Sequence, residues 1–384
     1  MQRTLRNIIL ATISLLTAIS CCETGQLARR NELLGKMRKI VNEGKTMYGH
    51  HDTYLYGHDG WKMGIKDSGF DSDIYQVCGK FPAVFSSDLG MLEFGESNSL
   101  DNNPFELIRR AAIRHNSLGG IVTFSWHPAN PLSGGNSWDC SASKGAQSTV
   151  KECLPGGSRH SEMRKWLKNI SDFFESLKDA DGNIIAFIFR PWHENTGDWF
   201  WWGASYCSDE EYIAFWKMTY EYMVQERGLT NIVWAYSPGN NYTETEFMNR
   251  YPGDEIVDVI GFDSYEYCDN SIPDYAQRLD AANREYIASL RKQLEYVSRI
   301  AEQRKKILAL TECGFEGVPY PKWWTEVLCE AVKGFPVAYI LNWRNACDNP
   351  SHFYGPWKGA ACTEDFINFA QNDKIVFLED LSIF

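Results

Sequence analysis

Eight short apolar, β-rich runs recur along the chain at intervals filled by helical patterns, and this alternation constrains the fold more than any other feature. The runs are Thr46 to Gly49, Phe81 to Ser86, Gly120 to Ser125, Ile184 to Phe189, Asn231 to Tyr236, Val257 to Phe262, Ile307 to Leu310 and Val337 to Leu341. Most lack polar alternation, as expected of parallel strands covered on both faces. The segments between them are amphipathic. Met163, Trp166, Leu167, Ile170, Phe173, Phe174 and Leu177 keep a three- and four-residue spacing. Ser208 with Glu211 forms a capping box that opens a second helix, which Gly228 can close. A third runs from about Tyr275 to Ile300, with Leu279, Ala282, Tyr286, Leu290, Leu294 and Val297 on one face. Eight β/α alternations without a break in composition predict a single-domain (β/α)8 TIM barrel. The competing architecture, a doubly wound open sheet, lacks support because no Gly-rich phosphate loop follows an early strand.

The first 21 residues stand apart from this pattern. Arg3 and Arg6 precede an apolar stretch from Ile8 to Ile19, and Ala18-Ile19-Ser20 then leads into Cys21. This resembles a bacterial lipoprotein signal with Cys21 as the lipidated first residue, the alternative being an ordinary secretory leader cleaved near Ser20 or Cys22. Residues 22–384 then form the barrel, expected at the cell envelope or secreted, and expected to be monomeric. Of 11 cysteines, nine lie beyond Cys21 and Cys22. Cys140 with Cys153, and Cys347 with Cys362, are reasonable disulfide pairs in an oxidising compartment, whereas Cys313 reads as a small buried thiol. A net charge of −12 disfavours nucleic acid and suits a neutral substrate. The 14 tryptophans exceed what core packing alone needs, which suggests that several line a groove.

In a barrel, chemistry collects where strands end and βα loops begin. Those ends carry His50, His51 and Asp52; Asp88; Trp126 and His127; Arg190, His193 and Glu194; Ser237 and Asn240; Asp263 and Tyr265; Glu312; and Trp343. The densest is Phe187-Ile-Phe-Arg-Pro-Trp-His-Glu, followed closely by Trp199-Phe-Trp-Trp. Sugar rings stack their C–H faces on indoles and their acetals break by carboxylate chemistry, so this is the composition of a polysaccharide-cleaving site. Glu194 and Glu312 form the predicted carboxylate pair, and a separation of about 5 to 5.5 Å would make the reaction a retaining one. Arg190 is placed to hold a carboxylate ionised. On an extended segment His193 faces away from Glu194, toward sugar hydroxyls. Trp199, Trp201, Trp202 and Trp343 are possible sugar platforms. Adjacent His50 and His51 face opposite ways and, with His58, do not make a metal site. The irregular insertion 128–157 is long enough to suggest a functional loop.

These residues resemble glycoside hydrolase family 26, whose best-known members are β-mannanases. The resemblance is carried by Tyr48-Gly-His, Ser125-Trp-His-Pro, Arg190-Pro-Trp-His-Glu, Trp199, Phe262-Asp-Ser-Tyr, Thr311-Glu and Asn342-Trp343, in that order. It implies a retaining enzyme with Glu194 as acid/base and Glu312 as nucleophile. His127, Arg190, His193, Trp199, Asp263, Tyr265 and Trp343 would surround the scissile sugar, with Tyr265 hydrogen-bonded to the nucleophile. It implies no metal or cofactor, and a β-mannan substrate. The family's β-1,3-xylanases and mixed-linkage glucanases are the alternatives. A glycan-binding lipoprotein without activity would be expected to have lost a carboxylate, and both are present.

Overall fold

The structure, a computed structural model, describes residues 24–64, 69–143, 147–240, 242–269 and 274–384. The leader and Cys21 lie outside the described residues. Eight parallel strands close on themselves: β1 (Thr46–His51), β2 (Val84–Asp88), β3 (Ile121–Ser125), β4 (Phe187–Arg190), β5 (Ile232–Tyr236), β6 (Val259–Glu266), β7 (Ile307–Phe315) and β8 (Val337–Asn342). Closure is direct, because β1 pairs with both β2 and β8, Gly49 standing opposite Val84 on one side and Leu341 on the other. The predicted (β/α)8 barrel is therefore the observed one. A two-residue strand, β9 (Ile375–Val376), adds to β1 near its start.

Every predicted run contains a strand, but the ends shift. Ile184 belongs to an isolated antiparallel bridge with Lys178, and β4 begins only at Phe187. β7 extends to Phe315 and so carries Thr311, Glu312 and Cys313 inside the ladder. Register shifts between Phe262 and Asp263 and between Leu310 and Cys313 accommodate those polar residues. Such irregularities re-aim side chains near barrel rims.

The predicted helices form with the caps expected. His160–Ser176 buries Met163, Trp166, Leu167, Ile170, Phe173 and Phe174. Asp209–Tyr220 starts at the Ser208/Glu211 capping box and continues as a wider turn, Glu221–Glu226, before Gly228 takes φ +68°. The long helix, Tyr275–Arg304, outruns its predicted end and stops where Lys305 turns left-handed at φ 57°.

The core has two parts. One fills the space between barrel and helices. The other fills the lower barrel and is closed by a helix over residues 24–42, whose Leu33, Leu34, Met37 and Ile40 pack beside Met47, Ala83, Val233 and Ala309. That helix is a plug across the strand starts. Gln26 accepts from the Thr230 amide, Arg30 donates to the Ile232 carbonyl, and Lys36 donates to the Gly119 carbonyl. The opposite face, where strands end, is left open for chemistry.

The nine described cysteines are all free, so neither expected disulfide is formed. Cys153 and Cys362 are buried in the apolar core as small hydrophobes, and Cys140 Sγ lies 3.6 Å from the Trp199 carbonyl. Cys313 is a buried thiol, as read from the sequence.

Candidate active site

β4 ends at Arg190, and the chain then leaves the ladder through two left-handed residues, Trp192 at φ 54° and Glu194 at φ 52°. Neither residue type favours that region, and each such position costs on the order of 1 kcal/mol or more. Packing holds the turn. Trp192 is fully buried against Trp126, Trp201, Trp202 and Phe215. Its indole donates to Thr219 Oγ1 at 3.1 Å and its carbonyl accepts from the Tyr212 hydroxyl at 2.7 Å. The Glu194 amide donates to the Ser237 carbonyl at 2.7 Å, pinning the turn to the end of β5. The extended path that would point His193 and Glu194 to opposite sides is thus replaced by a double kink.

Glu312 sits at the barrel mouth, 4% exposed, paired in register with Asp263. Arg190 bridges them: one guanidinium nitrogen donates to Glu312 Oε1, the other to Asp263 Oδ2 at 2.7 Å. Asp263 Oδ1 accepts from Ser237 Oγ at 2.9 Å and Thr311 Oγ1 at 2.7 Å. Burial disfavours the Arg190 cation, yet its two carboxylate partners raise its pKa above the ordinary arginine value. Glu312 Oε2 accepts from the Tyr265 hydroxyl at 2.6 Å. Both oxygens of this carboxylate are therefore oriented by donors, one from the adjacent strand β6 and one from β4 across the barrel.

Glu194 has a different environment. Its Oε2 accepts one hydrogen bond, from Trp199 Nε1 at 2.6 Å. Burial first, and then the charge of Glu312, push its pKa up to about 7, outweighing Trp199, Arg190 and His127. One carboxyl group raised by burial and by its neighbour's charge, beside another held by a donor on each oxygen, is the arrangement of an acid paired with a nucleophile.

A histidine pair borders them. His127 Nδ1 lies 2.7 Å from Asp88 Oδ2, and its Nε2 lies 3.0 Å from His193 Nε2. Burial opposes the His127 imidazolium, but Asp88 outweighs it and lifts the pKa above the usual histidine value. Asp88 also accepts from Ser125 Oγ and the Gly90 amide, and its pKa falls well below the ordinary aspartate value although burial alone would raise it. Burial, then Arg190 and His127, keep the His193 pKa well below normal. The Nε2–Nε2 contact holds one proton: a neutral His127 accepts there from His193, and a protonated His127 donates there, in which case His193 carries its own proton on Nδ1. That Nδ1 has no partner among the described residues. A ring nitrogen of His193 lies within 4.8 Å of carboxylate oxygens of both Asp263 and Glu312.

The tryptophans divide. Trp201 and Trp202 are fully buried, so these two of the four candidate platforms are core residues; their indoles donate to the Pro128 and His193 carbonyls. Trp199 is 37% exposed beside Glu194. Trp343 is half-buried and stacks on His51, centroids 4.0 Å apart, while His51 Nδ1 lies 2.9 Å from Ser86 Oγ. Trp138, which the sequence reading did not single out, is 54% exposed and nearly parallel to the His127 ring at 5.7 Å. Its only sequence signal is its place in the 128–157 insertion.

Beyond Trp343 a further polar group was missed. Arg344 pairs with Asp101 at 2.8 Å, and its guanidinium reaches the Tyr56 hydroxyl at 3.3 Å. Tyr56, Ser87 and Asn103 all donate to Asp52, whose pKa rises to about 7 through burial and then the charge of Asp101. His50, His51 and His58 do not converge. His51 lies with Asp52 and Asp101, where Arg344 already supplies the cation. His58 stacks on Trp357 at 3.9 Å instead.

With that geometry in place, the comparisons with known proteins become specific. The model of glycosyl hydrolase family 26 matches residues 29–342, and the chain belongs to that family. A mannan endo-1,4-beta-mannosidase from Bifidobacterium adolescentis is 33% identical over 81% of this chain, which spans 31% of that protein. One from Bacillus subtilis strain 168 is 28% identical over 60% of this chain and 62% of its own length. The chain thus spans about a third to two thirds of these curated relatives. Among solved structures, a GH26 beta-mannanase from Bacteroides ovatus superposes with a TM-score of 0.83 at 37% identity, covering 94% of this chain and 96% of its own. An endo-beta-1,4-mannanase from Cellulomonas fimi gives 0.76 at 31% identity, covering 92% and 76%.

Proposed function

We propose that the protein is a retaining β-mannanase that hydrolyses internal β-1,4-mannosidic bonds by double displacement. The observation that carries this reading is the contrast between its two carboxyl groups: Glu194 with a pKa of about 7 and, among the described residues, a single donor, Glu312 with donors on both oxygens. In the first step a Glu312 oxygen attacks the anomeric carbon, the C1–O bond breaks, and Glu194 passes its proton to the departing oxygen. In the second step Glu194 takes a proton from water, whose oxygen attacks C1 and releases Glu312. Arg190 fixes the attacking carboxylate in register with Asp263, and Tyr265 orients its other oxygen. His193, sharing a proton with His127 across their Nε2 atoms, holds that ring beside the carboxyl groups. Trp199, Trp343 and Trp138 supply the apolar faces on which mannosyl units stack.

The names of the relatives support mannan over xylan or mixed-linkage glucan. Turnover of mannan, galactomannan and mannopentaose against those two polymers tests the substrate, and equal rates on all would overturn it. Glu312→Ala should lose activity and regain it with azide, yielding a glycosyl azide of inverted configuration; absence of rescue argues against nucleophilic Glu312. The lipid anchor at Cys21 belongs to the same proposal, and supports placement at the cell envelope.

A further inference from the structure

The chain enters the described fold at the strand-start face of the barrel, opposite the carboxylates. Helix 24–42 lies flat across that face, bound to the starts of β5 and β3. Cys21 is three residues before Thr24, so an anchor there lies within roughly 10 Å of the helix start even when extended. The base is also chemically distinct. Residues 24–45 carry six Lys or Arg against two Glu, in a chain of net charge −12. Arg29 and Arg30 are paired with Asp179 and Asp258, while Arg38 and Lys39 are exposed. Three large apolar side chains are exposed on the same face: Leu27 at 45%, Leu118 at 53% and Ile383 at 66%. Lys36 and Lys39 donate to the carbonyls of Gly119 and Ile383, tying the helix to the segments that bear two of them. Beside the turn that follows the helix, a cavity of about 650 Å³ is lined by Val41, Val332, Phe335 and Ile375, with Lys333 and Lys374. Exposed aliphatic groups interspersed with cations fit the boundary between lipid headgroups and acyl chains.

We infer that the base of the barrel, formed by helix 24–42 with Leu118 and Ile383, is a docking surface for an anionic lipid membrane, and that the catalytic cleft consequently opens away from it. This rests on lipidation at Cys21, proposed above. A polymeric substrate then reaches the cleft unobstructed while the enzyme stays attached.

The test is hydrogen–deuterium exchange of the full-length lipidated enzyme on phosphatidylglycerol/phosphatidylethanolamine vesicles, against the soluble Cys21→Ser protein. Slowed exchange over 24–45, 117–120 and 378–384, with none at Trp138 or 199–202, is expected. Protection at the cleft loops, or no difference at the base, overturns the orientation. Lack of a lipid mass on Cys21 overturns both the anchor and the docking, so the two failures are distinguishable. Arg38→Glu with Lys39→Glu, both exposed, should reduce base protection at least tenfold on these vesicles while leaving mannan hydrolysis in solution unchanged. Unchanged protection overturns the electrostatic attraction.

Discussion

At the scale of single residues, the account turns on how neighbours divide labour between like groups. With Glu194 as the acid of the proposed mechanism, its pKa of about 7 sets the upper limit of the pH profile. Turnover of natural mannan should fall as pH rises through that value. Glu194→Ala should remove most of this activity but far less on aryl mannosides with good leaving groups, which need no proton; equal losses on both would contradict the role. The same shift fixes a stability sign. A carboxyl whose folded pKa is raised stabilises most below its unfolded pKa, near 4.5, and loses that contribution as pH climbs to about 7. Glu194→Gln should accordingly gain in Tm over the parent between pH 5 and 8, as calorimetry can check. Asp88→Asn removes the charge beneath His127. Losing a hydrogen bond to a charged group is worth about 1.5 to 3 kcal/mol, so kcat/KM should drop roughly 10- to 100-fold. Imidazole NMR should show His127 titrating at lower pH; an unmoved titration would mean that Asp88 does not hold its proton. Arg190 and Glu312 were legible as candidates in the sequence because each ends or interrupts an apolar strand, and His193 and Glu194 because they follow directly on one. The left-handed turns at Trp192 and Glu194 were not, since no glycine marks them and only tertiary packing enforces them.

Elements explain what the residues alone leave open. Strand β7 continues past its apolar run because Asp263, Ser237 and Thr311 satisfy one another inside the ladder. A hydrophobic pattern cannot announce a strand whose upper half is polar. The plug helix over 24–42 escaped notice for the opposite reason: Leu33, Leu34, Met37 and Ile40 are a short stripe among many charges. Leu34→Ala should cost about 2 to 5 kcal/mol of stability through the cavity it leaves. Its kcat should be unchanged below the melting transition, because the plug touches strand starts and not strand ends; a lost kcat in fully folded protein would show the helix coupled to the cleft. The insertion 128–157 was read as functional by its length, and it brings Trp138 over His127. Trp138→Ala should raise KM for polymeric mannan up to about tenfold, the worth of one stacked aromatic, with little change in kcat. A kcat defect at constant KM would argue that Trp138 shapes His127 and does not hold sugar.

For the molecule as a whole, the barrel separates its tasks by face. Strand starts are closed by the plug helix and a second apolar core, and strand ends collect the ionisable groups. The barrel was legible because eight unalternating runs leave few alternatives. The abundance of tryptophan was a weaker guide, since Trp126, Trp192, Trp201, Trp202, Trp216, Trp234, Trp323 and Trp324 are all buried structural residues. The cysteine pairings failed because sequence proximity in a loop says nothing about whether thiols face a common space. What unites the faces is the claim that two acids, brought from strands four and seven, divide one reaction between them. Incubation with a 2-deoxy-2-fluoro-mannosyl substrate bearing a good leaving group, followed by peptide mass spectrometry, tests it most directly. The account predicts a stable glycosyl adduct on the peptide that contains Glu312. An adduct on any other residue, or steady turnover with inverted anomeric configuration and no adduct, would contradict it.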